Sequence, residues 1–244
     1  MRNIWVIFQK EVHSFFSSLI AYIVMSVFLG IVGFFVWIAP SNTLQMGTAN
    51  LQVFFTFAPL AFMFLIPAIT MRAIAEEKKT GTFEFLVTRP VSEYQILIGK
   101  FLAAALLAVL CVVPTLVYLF TVQDYALPKG NIDWGAAYGA YLGLTLVGIS
   151  FCALGILASS LTDNQIVAFI LGFFLCFAWF KGFGLIADLF THQVKLHDFI
   201  DALGLENHYV SISRGVIDLR DVIYFISFSI ACILVSKTII EVKK

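Results

Sequence analysis

Few places in this sequence could do chemistry in water, and the densest is Met71-Arg-Ala-Ile-Ala-Glu-Glu-Lys-Lys-Thr-Gly-Thr-Phe-Glu-Phe-Leu-Val-Thr-Arg-Pro-Val-Ser92. Between two long apolar runs it sets Arg72, Glu76, Glu77, Lys78, Lys79, Glu84 and Arg89, a mixture of signs suited to a polar docking surface. Gly81 supplies a turn, and the flanking threonines can cap the residues after it. Phe83, Phe85, Leu86 and Val87 then surround Glu84. A solvated juxtamembrane loop is the simpler reading, but apolar side chains gain nothing in a loop that faces only water. A second cluster, Arg214, Asp218, Arg220 and Asp221, precedes the last apolar run. Those charges can hold a segment together by local ion pairs worth ~0 to 1 kcal/mol each when exposed, or they can form a gate or the contact for an accessory protein. His192, His197 and His208 have no metal-ligand spacing and read as surface residues.

The missing chemistries narrow the function as much as the present ones. Ion-driven transporters carry ionisable groups at mid-membrane, and no apolar run here holds Asp, Glu or His well inside it. No run supplies a carboxylate pair, a zinc-type His cluster or a Ser with a base. An enzyme acting on lipid would have to work from the segment before the last run, with groups such as His208 and Asp218. The phosphate-cradling loop GxxxxGK[ST] is absent as well, because Gly99-Lys100 is followed by Phe101 and lacks the upstream glycine. Energy, if used, must come from another subunit. Cys111, Cys152, Cys176 and Cys232 fall one per apolar run without CxxC spacing, and read as packing residues.

Behind these sites stands a chain of 244 residues that is 61% hydrophobic and 12% charged, with mean hydropathy +0.96. A soluble domain carries about 25% charge, so this composition predicts an integral membrane protein. Net charge is zero, which offers no footprint for nucleic acid. Six apolar segments are long enough to cross a bilayer as helix: Leu19 to Ala39, Val53 to Thr70, Phe101 to Val122, Gly135 to Ala158, Ile166 to about Ile186, and Val222 to Ser236. Six spans put both termini on one side. With that side cytoplasmic, ten Lys and Arg residues lie inside and five (Lys129, Lys181, Lys195, Arg214, Arg220) lie outside, as the positive-inside rule asks. The N-terminus lacks the short apolar core and cleavage site of a signal peptide, so the first span is expected to be retained.

Before that span, Ile4, Trp5, Phe8, Val12, Phe15 and Phe16 share one helical arc while Arg2, Gln9, Lys10 and His13 fall elsewhere. This predicts an amphipathic interfacial helix; a leader continuing the first span is the plainer alternative. Pro59 and Pro67 are expected to interrupt the second span and Pro114 the third. Gly135, Gly139 and Gly143 line one face of the fourth, for close packing either inside the chain or against another subunit. Lys181, after fifteen mostly apolar residues, is expected near the outer interface with its ammonium snorkelling. Phe199, Leu203, Leu205, Tyr209 and Val210 make residues 188–221 too apolar for a solvated tail and predict short helices that dip toward the outer leaflet.

The run from Arg72 to Leu86, with Pro90-Val-Ser92 and Gly99-Lys100 after it, resembles the signature of ABC-2 type transporter permeases. Within that family the chain most resembles the permease of the bacterial gliding-motility transporter, through Ser159-Ser-Leu-Thr-Asp-Asn-Gln-Ile-Val-Ala-Phe169 and His208-Tyr-Val-Ser-Ile-Ser-Arg-Gly-Val-Ile-Asp-Leu-Arg-Asp221 as well. The resemblance covers nearly the whole chain. It implies one all-α membrane domain over 1–244: an interfacial helix (1–18), six transmembrane helices, a cytoplasmic coupling segment (72–100) and an extracytoplasmic segment (188–221) with short re-entrant or interfacial helices. It further implies a non-enzymatic permease in the bacterial inner membrane, dimeric or paired with a second membrane subunit. A separate ATPase subunit would bind ATP and Mg, this chain binding neither. Arg72, Glu76, Glu77, Lys78, Gly81 and Glu84 would dock that subunit, and Pro90 would end the docking element. Thr162, Asp163 and Asn164 would add a smaller contact, unless they only cap the fifth span. A membrane scaffold for a motility machine is the alternative of another class.

Overall fold

Hydrocarbon offers no water to backbone N–H and C=O groups, so each apolar run must close its hydrogen bonds within itself. The computed structural model describes residues 2–40, 43, 50–81, 92–126, 132–215 and 217–242, and every regular element among them is helical. Helix α1 (Arg2–Ser17) is followed by α2 (Ile20–Gly33), which ends in a π turn at Phe34–Ile38. Then come α3 (Gln52–Thr70) and the short α4 (Ala75–Lys79). Helix α5 (Glu93–Val112) passes through a 3₁₀ turn at Val113–Leu116 into α6 (Val117–Tyr125). After α7 (Trp134–Leu161), α8 (Gln165–Phe177) continues through a π turn at Ala178–Gly182 into α9 (Phe183–Ala187). Two short helices, α10 (Val194–Asp201) and α11 (Leu205–Ser213), precede the last, α12 (Leu219–Val242). Six stretches are long and apolar enough to cross a membrane, beginning at Ile20, Gln52, Glu93, Trp134, Gln165 and Leu219. The chain is an all-α, multi-pass membrane protein.

The spans are unequal. In its most apolar stretch the fourth, α7, is 72% buried, against 28%, 22% and 33% for the first, fifth and sixth. Helix α7 therefore forms the centre, touching α3, α5, α8, α11 and α12, while the others leave apolar faces for lipid or protein. Its glycines allow the closest approach. A Cβ on Gly139 would stand 2.5 Å from the Ile212 carbonyl oxygen, and one on Gly143 would meet the Tyr209 ring at 3.1 Å. The small-residue face thus receives α11 of the same chain. A Cβ on Gly135 would meet only the Asp133 carboxylate, at 3.3 Å, while Gly215 closes on the backbone there: its own Cβ would fall 3.1 Å from the Gly135 carbonyl carbon.

Pro59 and Pro67 lie within a continuous α3, while Pro114 sits in the 3₁₀ turn. Pro59 has no N–H, so the Phe55 carbonyl one turn earlier loses its helical donor. The Tyr209 hydroxyl of α11 donates to that oxygen at 2.7 Å, and burial pushes this phenol's ionisation well up, so it stays a donor. The N-terminal helix is separate from the first span: between them Leu19 adopts φ 60, a left-handed conformation that a Cβ disfavours. Asn3, Ile4, Ile7, Phe8, Glu11, Val12, Phe15 and Phe16 are its less exposed residues, and it contacts α5. Trp5, expected on the apolar arc, is 58% exposed and stacks on Phe8.

Candidate functional site

Helix α5 starts at a capping box, in which the Ser92 hydroxyl accepts from the Gln95 N–H and the Gln95 side chain from the Ser92 N–H. Two turns on, Gly99 lets α1 close in: a Cβ there would fall 2.7 Å from Ile7 Cγ2 and 3.2 Å from the Ile4 carbonyl. Asn3 Nδ2 donates to Gln95 Oε1 along the same seam. The close packing brings Glu11 over Lys100. The Lys100 ammonium lies 2.8 Å from Glu11 Oε1 and 2.8 Å from Glu77 Oε1, with its side chain 4% exposed. Lys10 Nζ stands 4.0 Å from the same Glu77 oxygen. Taking three charges out of water costs several kcal/mol per ion unless each is answered in good geometry, and here one ammonium answers two carboxylates. Lys100 thereby ties α1, α4 and α5 together.

Helix α4 is held from its other side by α7. Ile74, at its N-cap, offers no side-chain cap; instead Ser159 Oγ accepts from the Ile74 and Ala75 N–H groups, each at 3.0 Å, and donates to the Met71 carbonyl at 3.1 Å. One buried serine of the fourth span thus caps a helix about 85 residues earlier in the chain. Glu76 and Glu77 occupy the first turn of α4 and Lys78 and Lys79 the last, the order the helix dipole favours. Lys78 Nζ donates to the Ser160 carbonyl at 2.8 Å and lies 3.8 Å from Asp163. Between α1 and the end of α3 opens a cavity of about 750 Å³, walled by Lys10, Glu11, Arg72, Glu76, Glu77 and Lys100 with an apolar floor at Phe15, Ile20 and Ile69.

The structure therefore brings Arg72, Glu76, Glu77, Lys78 and Asp163 onto one end of the bundle. Gly81, at φ +70, supplies the turn expected of it. Glu84 and Pro90 lie outside the described residues. In the turn after α7, Thr162 Oγ1 accepts from the Asn164 N–H, and Asn164 Oδ1 accepts from the Ile166 N–H, so Asn164 is the N-cap of the fifth span. Glu11 and Ser159 were not legible as site residues: one looks like a stray charge on an amphipathic helix, the other like a small residue in an apolar run.

At the opposite end the expected local ion pairs among Arg214, Asp218, Arg220 and Asp221 do not form. Asp218 caps α12 by accepting from the Arg220 N–H, and Asp221 turns inward to His208, Nδ1 to Oδ1 2.7 Å. His208 is accordingly no plain surface residue. Lys181 pairs with Glu206 of α11 and sits 5.6 Å from the Phe180 ring, so its charge is answered beside the short helices.

A family model described as ABC-2 family transporter protein matches residues 39–219. The probable multidrug ABC transporter permease YbhR of Escherichia coli K12 is 30% identical over 102 residues, which cover 42% of this chain and 26% of that protein. The protein of the same description in Escherichia coli O157:H7 matches to the same extent. The chain thus spans about a quarter of the length of the curated relatives it matches.

Proposed function

The chain belongs to the ABC-2 transporter family, and from that premise we propose that it is the membrane-spanning permease subunit of an ABC exporter, driven by a separate ATPase. The ATPase docks on the face built by Arg72, Glu76, Glu77, Lys78 and Gly81, continued by Glu84 and Pro90 and flanked by Thr162, Asp163 and Asn164. ATP and Mg belong to that partner. The observation that carries the reading is Lys100, which fastens α4 to both α1 and the third span, so that a force on α4 passes into the bundle. The description of YbhR as a multidrug permease supports export. The motility association rests on the sequence resemblance. We place the subunit in the bacterial inner membrane with both termini cytoplasmic, working as a homodimer or beside a second membrane subunit, with residues 188–221 outside and open to an accessory protein.

The test uses the chain purified together with its candidate ABC ATPase, wild type against Glu76→Arg combined with Glu84→Arg. Loss of the complex, or of the ATPase activity stimulated by it, is expected. An unchanged complex with unchanged ATPase activity sinks the docking assignment.

A further inference from the structure

At the far end from Lys100, His208 of α11 has an unusual pair of neighbours. Its Nδ1 lies 2.7 Å from Asp221 Oδ1, and its Nε2 lies 2.9 Å from the Ala202 carbonyl. A carbonyl oxygen only accepts, and an ionised carboxylate only accepts. A neutral imidazole has one N–H, so beside an ionised Asp221 one of its ring nitrogens would aim a lone pair at an oxygen. Both contacts are satisfied only when the pair holds one proton more than neutral histidine plus carboxylate, as imidazolium facing carboxylate or as imidazole facing carboxylic acid.

Burial makes the same demand independently. Asp221 is 7% exposed, and its Oδ2 is buried with no hydrogen-bond partner. No described Lys or Arg comes within ion-pair distance of it, so opposite a neutral imidazole its desolvated charge would have no cation to answer it. The His208 ring also stacks on Tyr224, centroids 3.9 Å apart, an arrangement that favours a cation over an aromatic face.

We propose that His208 and Asp221 form a proton-binding site whose occupancy fastens α11 and the Ala202 turn to the last span. The Tyr224 hydroxyl, donating to the Leu203 carbonyl at 2.6 Å, is the second tie across that seam. The other titratable groups nearby are otherwise engaged or outward: Glu206 with Lys181, Asp218 on the Arg220 N–H, and Arg214 and Arg220 exposed. On α10, His197 contacts Asp198 at 3.1 Å and Asp188 at 3.9 Å.

Releasing α11 separates the imidazole from both oxygens and opens it to water, where a histidine side chain ordinarily changes charge near pH ~6.5, whereas the closed geometry is satisfied only with the shared proton in place. Below about pH 6.5 both forms hold the proton and opening is independent of pH; above it opening releases one proton, and its equilibrium constant rises about tenfold per pH unit.

Hydrogen exchange of the peptide covering 205–213, measured on the purified full chain from pH 5.5 to pH 9 and corrected for intrinsic exchange, reads this directly. Wild-type protection should be flat below about pH 6.5 and fall about tenfold per unit above it. D221N supplies an amide that donates to Nδ1 while Nε2–H donates to Ala202, so its protection should persist without that slope. H197N should keep the wild-type profile. A flat wild-type profile overturns the proposal, as does a D221N profile as steep as wild type. Should D221N fail to fold, H208Q decides the same question: loss of the slope supports the site and retention overturns it. No ATPase is needed, so the outcome is independent of the proposed docking face.

Discussion

Replacing Lys100 by Met would leave Glu11 and Glu77, with side chains only 14% and 15% exposed, without the buried ammonium that answers them both. Breaking a buried pair on one side costs about 3 to 5 kcal/mol, because the remaining charge keeps its desolvation penalty and loses its partner. K100M should lower the unfolding free energy in detergent by that amount. The triple variant E11Q/K100M/E77Q should recover most of it, since neutral groups carry no such penalty; a triple variant as unstable as K100M would refute the account. In the sequence, Lys100 closes the segment that carries the family resemblance, but nothing there marks it as the centre of an ion network. Its partners lie 89 and 23 residues away on other helices, and helical periodicity reports which face a residue is on, never which face of another helix it will meet. The pairing of His208 with Asp221 was hidden for the same reason.

Among the elements, hydropathy was a good guide to the spans, because length and apolarity are all that crossing a bilayer requires. The separate N-terminal helix was also legible, although its less exposed stripe serves α5 and includes Glu11. Less legible was how proline is accommodated. Tyr209 repairs the gap that Pro59 opens in α3, so Tyr209→Phe should cost about 1 to 3 kcal/mol by stranding the Phe55 carbonyl. In a P59A background the new N–H can satisfy that carbonyl within the helix, and the same Tyr209→Phe change should then cost clearly less. Equal costs in the two backgrounds, measured as a double-mutant cycle of unfolding, would show that the hydroxyl does not serve the proline gap. The glycine face of α7 could be read as a packing surface, but its occupant could not, since a small-residue stripe fits any helix.

For the whole molecule, the proposed orientation makes a topological prediction. All four native cysteines are buried, so an introduced thiol at an exposed position dominates labelling. H192C should react with a membrane-impermeant maleimide in intact cells, and T80C only after permeabilisation; the reverse pattern would invert the assignment of the two faces. Which end of the bundle meets which compartment was readable only as a bias of Lys and Arg. How the ends are braced needed the fold, because the braces join residues distant in sequence. Ser159 shows a further result of that bracing, one that concerns the making of the protein. The amide groups that begin α4 are satisfied by a side chain of the fourth span, so that cap is missing while the ribosome has delivered only the first three. On the docking assignment proposed above, the face for the ATPase is finished late in synthesis, and a nascent chain stalled before the fourth span lacks the serine that caps it.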